Sequence, residues 1–389
     1  MRTIAVVTVG RSDYGIYRPV LAKLGAHPGV KLHLIVGGMH LSPAFGDTIR
    51  EIEADGLPVG DRVEMLLASG SAEGVAKSMG LGAIGFAQAY ARVRPDLLLV
   101  LGDRSEMHAA VVAAVPFGIP IAHVHGGEIT EGAIDDALRH SITKLSHLHF
   151  VSTESYARRV RQMGEEAWRV VVSGAPSIDN LNTVKLLSLQ DLGARFGLRL
   201  DRPPLVVTFH PVTLEPGQAD AQITELLAAL RAFDLPMVFT MPNADVGGQH
   251  VADQVAEFVG QTPSAWLVPN LGTAGYFSLM AHAAAMVGNS SSGLVEAPSF
   301  KLPVVNVGAR QRGRVRAANV IDVEARREDI QHGITRAIDP AFRAGLASLR
   351  NPYGDGHAAE TIVERLVAEP LVPQLLIKRF VDLVEEPQQ

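Results

Sequence analysis

Short apolar runs that stop at polar clusters recur along this chain. Ile4–Val9, Lys31–Val36, Leu97–Leu101, Ile119–Val124, Val170–Val172, Leu205–Phe209, Met237–Thr240, Trp266–Val268, Met286–Gly288 and Val304–Val307 are each bounded by Gly, Pro or ionisable residues. Runs of this kind read as parallel strands buried on both faces. Segments with a helical period separate many of them, at about 16–24, 68–92, 155–163 and 219–232. The alternation predicts an α/β protein with two doubly wound, Rossmann-like domains. The rhythm changes over 181–204, which ends in Leu200-Asp201-Arg202-Pro203-Pro204. The interdomain linker is expected there, with a first domain over 1–180 and a second over 205–365. Residues 366–389 are expected as a C-terminal tail, helical over Gln374–Val384.

The polar clusters lie where an open parallel sheet binds ligands, beyond the carboxyl ends of its strands. Gly102, Asp103 and Arg104 follow one run. His123, His125, Gly126, Gly127 and Glu128 end another, and Asp135, Asp136, Arg139 and His140 follow at a predicted helix start. So many ionisable groups at converging strand ends are expensive in a purely structural protein. A catalytic site is expected there. Gly10-Arg11-Ser12-Asp13-Tyr14-Gly15 is read as a turn feeding a helix from Ile16, a natural anion site with Arg11 adding charge. It lacks the full GxGxxG spacing, so a plain strand–helix turn reads equally well.

Gly288-Asn289-Ser290-Ser291-Ser292-Gly293 precedes a predicted helix over Leu294–Pro298. Hydroxyls and free N–H groups at a helix start suit a phosphate, and Glu296 suits a ribose. Arg310, Arg312 and Arg314 can neutralise phosphate oxygens. For Arg312 and Arg316 a solvated loop is an equal reading. His123 and His125 alternate on an extended segment, so they share a face. With Glu128 they make either a metal site or acid/base groups; no metal-ligand spacing supports the first. Ser291 lacks the GxSxG setting of a hydrolase nucleophile.

A net charge of −6 argues against a general nucleic-acid binder. The absence of Cys removes disulfides, a thiolate nucleophile and Cys-ligated zinc. No apolar run reaches the ~18 residues of a membrane span. A soluble cytoplasmic protein without membrane or nucleic-acid partners is expected.

Taken in order, these motifs resemble the UDP-N-acetylglucosamine 2-epimerase family, in its hydrolysing branch. The resemblance rests on Gly10–Tyr14, Gly102-Asp103-Arg104, the HVHGGE of 123–128, the DDALRHSITK of 135–144, His210-Pro211, Pro242-Asn243, Gly288–Gly293 and the RQRGR of 310–314. It implies a glycosyltransferase-B-type architecture with the active site in the interdomain cleft, and a homodimer or homotetramer. It implies that Ser290, Ser291 and Glu296 hold the UDP. Arg11, Arg104, Arg139, His210, Asn243, Arg310 and Arg314 are expected near the nucleotide or its phosphates. No metal and no cofactor are expected.

The implied reaction has two stages. UDP leaves C1 as the C2 proton is removed, giving a glycal; water then adds with inverted C2 configuration. On UDP-N-acetylglucosamine this gives N-acetylmannosamine and UDP. The same reaction on UDP-2,4-diacetamido-2,4,6-trideoxyglucose is the rival within the branch, and the non-hydrolysing epimerase is a further alternative. Asp103, Glu128 and Asp135 are the candidate acid/base carboxylates, with His210 near the diphosphate. Relatives often carry a carboxylate where this chain has His125. Either His125 or Glu128 then moves the C2 proton.

Overall fold

Thirteen strands, all parallel, build two sheets in the computed structural model, which describes residues 1–43, 46–69, 71–131, 133–211, 218–241 and 248–382. The first sheet contains β1 (Arg2–Thr8), β2 (Val30–Gly37), β3 (Val59–Val63), β4 (Leu97–Leu101), β5 (Ile121–Val124), β6 (Leu148–Val151) and β7 (Val170–Val172). The second contains β8 (Leu205–Thr208), β9 (Met237–Thr240), β10 (Ala265–Val268), β11 (Ala285–Gly288), β12 (Val304–Val307) and β13 (Val320–Val323). The orders are β3-β2-β1-β4-β5-β6-β7 and β10-β9-β8-β11-β12-β13. Each order reverses once, at β1/β4 and at β8/β11. Those switch points are where doubly wound sheets bind ligands.

Apolar cores cover both faces of each sheet. Burial on two sides explains why the central strands read as unbroken apolar runs. Besides β6, where only the strand end at Val151 is legible in the sequence, two strands lack that signal. Val59–Val63 and Val320–Val323 carry Gly60, Asp61, Arg62 and Asp322 among their Val and Ile, and both are edge strands. Charge on an edge discourages unwanted pairing, and it also hides the strand from a periodicity reading.

The chain divides into two compact units. One holds Met1–Glu128, Asp135–Asp179 and Gly356–Gln389; the other holds Ile129–Ile134 and Asn180–Asp355. Residues 181–204, expected as linker, are thus counted in the second unit. The helix Ala358–Ala368 is counted in the first. Its Ile362, Val363 and Leu366 share a core with Tyr14, Tyr17 and Val20. The Asp179 carboxylate accepts from the Ala358 and Ala359 amides at 3.0 and 2.6 Å, capping that helix.

In the first unit two expected helices differ. Only Pro373–Leu376 is helical where Gln374–Val384 was predicted, through residue 382. The Arg169 guanidinium donates to the Leu375 and Ile377 carbonyls, which a continuing helix would have used. The first helix begins at Arg11, not Ile16, and runs to Ala26. Asp13 explains the early start: its carboxylate accepts from the Val9 and Gly10 amides at 2.8 and 2.9 Å. Burial raises the Asp13 pKa to about 6, although those bonds pull it down.

Candidate active site

In the first unit, β4 and β5 lie side by side, so their carboxyl ends bring separate polar clusters together. Asp103 follows β4 after Gly102. The Arg139 guanidinium, from the helix Ile134–Leu145, makes an ion pair with it. Arg139 also donates to the His125 carbonyl at 2.9 Å and lies 3.8 Å from the Glu128 carboxylate. Burial opposes the Arg139 charge, yet Asp103 and Glu128 keep its pKa raised. Asp135, one turn earlier on the same helix, adds to that field.

His125 follows β5 directly with φ +65°, in the left-handed region. Its amide donates to the Phe150 carbonyl at 3.0 Å. Strain of this kind persists where the surroundings over-determine it, and often at functional sites. The His125 Nδ1 lies 2.6 Å from Glu128 Oε1. The Ser152 hydroxyl donates to the same oxygen at 2.8 Å. A carboxylate only accepts, so this network assigns the proton to Nδ1. The buried Nε2 has no hydrogen-bond partner. A lone pair on an oriented ring nitrogen, backed by a carboxylate, is the equipment of a general base.

His123 has its own partners. Its Nε2 lies 2.8 Å from the Gly102 carbonyl and its Nδ1 3.2 Å from the Thr143 hydroxyl. Burial holds its pKa down to about 3. His125, expected on an extended segment, leaves the extended conformation. With both His123 nitrogens engaged, a His123/His125 metal site finds no support. Among the described residues no group of three or more His, Asp or Glu is arranged to hold a metal ion.

The second unit builds a different kind of cluster at its switch point. Gly288 ends β11 with φ +134°, and a Cβ there would sit 1.9 Å from the Thr208 carbonyl oxygen. Only glycine lets the Ser loop start this close to β8. Asn289 then clamps His210, two residues after β8, on both sides: its Oδ1 accepts from the His210 amide at 2.7 Å and its Nδ2 donates to the His210 carbonyl at 2.8 Å. Burial, then the nearby Arg310, push the His210 pKa well below its ordinary value. Ser290 Oγ accepts from the Ser292 amide at 3.3 Å. The helix that follows is one turn, Ser292–Val295, not the predicted Leu294–Pro298. Tyr276 joins the Ser loop. Burial raises its pKa to about 12, Glu296 pushes the same way, and bonds with Ser292, Thr208 and Ser290 oppose the shift.

The arginine run of 310–316 divides. Arg310 Nη1 donates to the Asn289 carbonyl at 3.1 Å, and Gln311 Nε2 donates to the same oxygen at 2.8 Å. Arg312 turns away and lines a cavity of about 530 Å³ with Arg326, His332 and Arg336. Arg314 donates to the Ile129 carbonyl and the Thr130 hydroxyl. Arg316 pairs with Asp322 at 2.8 Å. Arg104 lies 3.4 Å from Glu106, and Arg11 is exposed in the first helical turn. Asn243 lies outside the described residues. Asn289, Gln311, Tyr276 and Ser152 were missed as site residues. Asn289 and Gln311 carried a signal, as parts of motifs valued for their hydroxyls and their arginines.

A family model described as UDP-N-acetylglucosamine 2-epimerase matches residues 22–367. The chain belongs to that family. Its place in the hydrolysing branch follows from relatives matched over nearly their whole length. A UDP-N,N'-diacetylbacillosamine 2-epimerase (hydrolyzing) from Legionella pneumophila is 36% identical over 97% of this chain and 99% of the relative. A GDP/UDP-N,N'-diacetylbacillosamine 2-epimerase (hydrolyzing) from Campylobacter jejuni is 35% identical over 98% and 99%. Polysialic acid biosynthesis protein P7 from Escherichia coli is 37% identical over 91% and 90%. The fold matches the crystal structure of UDP-GlcNAc 2-epimerase from Neisseria meningitidis bound to UDP-GlcNAc, with a TM-score of 0.82 at 19% identity, over 94% of this chain and 100% of that one. This 2-epimerase is therefore a UDP-sugar enzyme of the hydrolysing type. No helix among its described residues is long and apolar enough to cross a membrane.

Proposed function

We propose that this 2-epimerase acts on UDP-2,4-diacetamido-2,4,6-trideoxyglucose and water, releasing UDP and the free sugar inverted at C2. The observation supporting the chemistry is the buried His125–Glu128–Ser152 chain with its unpartnered Nε2. In the first stage His125 Nε2 takes the C2 proton while the C1–oxygen bond breaks and UDP departs, leaving a 1,2-double bond. Glu128 holds the ring and stabilises the imidazolium that forms. In the second stage a proton returns to C2 from the opposite face and water oxygen bonds C1. Asp103, held by Arg139, and Asp135 serve the second stage as acid and base. Ser290, Ser291, Glu296 and Arg310 hold the UDP, and the Arg310 charge favours departure of the diphosphate.

Support for the diacetamido sugar comes from the two relatives named for it, each matched along nearly its full length. UDP-N-acetylglucosamine is the second reading, favoured by the Neisseria meningitidis UDP-N-acetylglucosamine 2-epimerase at 31% identity over 87% of this chain. Incubating the enzyme with each UDP-sugar in heavy water, with product NMR, separates them. The expected product is the diacetamido sugar with deuterium at C2. Turnover of UDP-N-acetylglucosamine alone transfers the proposal to the second reading, and C2 without deuterium refutes the elimination.

A further inference from the structure

Between Glu128 and Asp135 the chain spends six residues elsewhere: Ile129–Ile134 are counted in the second unit, while both carboxylates belong to the first. Arg314 holds this excursion. Its Nε donates to the Ile129 carbonyl at 2.8 Å and its Nη2 donates to the Thr130 hydroxyl at 3.0 Å. The residue before it faces the same segment. Gly313 has φ +78°, and a Cβ there would come within 3.0 Å of Glu131 Oε1 and 3.3 Å of the Ile129 side chain. A side chain at 313 would push the segment away as well as strain the turn.

The same turn begins at the Ser loop, where Arg310 and Gln311 both donate to the Asn289 carbonyl. Arg316 braces it, donating to the Arg314 carbonyl at 2.9 Å and the Gln311 carbonyl at 3.0 Å. One braced turn thus touches the Ser loop with its first two residues and the 129–134 segment with its last two.

We propose that Arg314 is a positioning residue. It fixes the segment that sets the spacing of Glu128 and Asp135, and it does not hold phosphate, the role its place in the arginine run suggests. This rests on the hydrolysing 2-epimerase reading above. Two donors on one guanidinium match two acceptors in fixed geometry, which a lysine ammonium cannot copy. A loosened segment lets the two carboxylates drift, and misplacement by ~1 Å costs up to ~100-fold in rate.

The test compares wild type with Arg314→Ala, Arg314→Lys and Gly313→Ala. Wild type must first release UDP from a UDP-sugar; if it does not, the functional reading fails and Arg314 is judged on exchange alone. In Arg314→Ala, kcat is expected to fall at least about tenfold, while KM and the calorimetric UDP affinity stay within about twofold. Amides of 129–134 exchange faster with deuterium than in wild type. Arg314→Lys is expected between the two, and Gly313→Ala reproduces the loss with Arg314 intact. A fall in UDP affinity matching the fall in kcat would make Arg314 a phosphate ligand and overturn the proposal. Unchanged exchange over 129–134, or faster exchange with kcat untouched, overturns it as well.

Discussion

The polar clusters at the carboxyl ends of the two sheets solve opposite problems. In the first unit, Asp103, Arg139, Glu128 and His125 are ionisable groups packed against one another, three of them buried. In the second, Asn289, Gln311 and the Ser loop are neutral donors and acceptors, with Arg310 as the charge beside them. Burying charge is tolerable only in pairs. Buried neutral groups need only hydrogen bonds. The difference fits the division of labour proposed above, with groups that move protons in the first unit and groups that hold a nucleotide diphosphate in the second.

Removing the shared cation should break the first cluster most severely. Arg139→Leu leaves Asp103 and Glu128 without their counter-charge, and urea unfolding should show a loss of about 3–5 kcal/mol. A loss within the range of a surface substitution would mean the cluster is not held by charge. The next effect is catalytic. Asp103→Asn keeps shape and removes basicity, so formation of the free sugar should fall at least ~100-fold with UDP affinity intact. Asp135→Asn should release UDP and let the glycal accumulate.

The second cluster should respond in affinity. Arg310→Ala should weaken UDP by about 1.5–3 kcal/mol, the range for a charge-assisted hydrogen bond, measured by calorimetry. Unchanged affinity removes Arg310 from the site and blurs the contrast between the units.

The smallest effect concerns acid. Burial holds the His123 pKa near 3, below its ordinary 6.5 in the unfolded chain. Its neutral form therefore supports the fold above pH 6.5, and that support is lost progressively as pH falls toward 3. His40 and His147 act in the same direction, each held near 4. Wild type should lose more stability between pH 7 and 4.5 than His123→Gln does. Equal losses would show that His123 is not buried neutral.

The sequence made much of this division legible. Central strands announce themselves because both faces are buried, so Leu97–Leu101 and Met237–Thr240 read at their observed bounds. Edge strands β3 and β13 do not, since their exposed sides admit Asp and Arg. The polar clusters were visible as exceptions to apolar patterning. Their pairings were not. Asp103 and Arg139 lie 36 residues apart and meet only through the β4–β5 register. His125 looked extended because periodicity carries no sign of a left-handed residue. Nothing local distinguishes Arg310 from Arg312 and Arg314, whose destinations depend on the turn at Gly313. The return of Ala358–Ala368 to the first unit was equally hidden, because an amphipathic pattern shows that a helix packs and not on what.

The central claim is that His125 carries the C2 proton while Glu128 only orients it. It is tested most directly by following C2 deuterium incorporation in heavy water for His125→Gln and Glu128→Gln, with UDP binding checked in each. The account predicts that His125→Gln binds UDP normally and loses C2 exchange and UDP release together, at least ~100-fold. Glu128→Gln should retain measurable exchange, because the Gln side-chain oxygen can still accept from Nδ1. Wild-type exchange in His125→Gln, or its abolition in Glu128→Gln alone, would contradict the assignment.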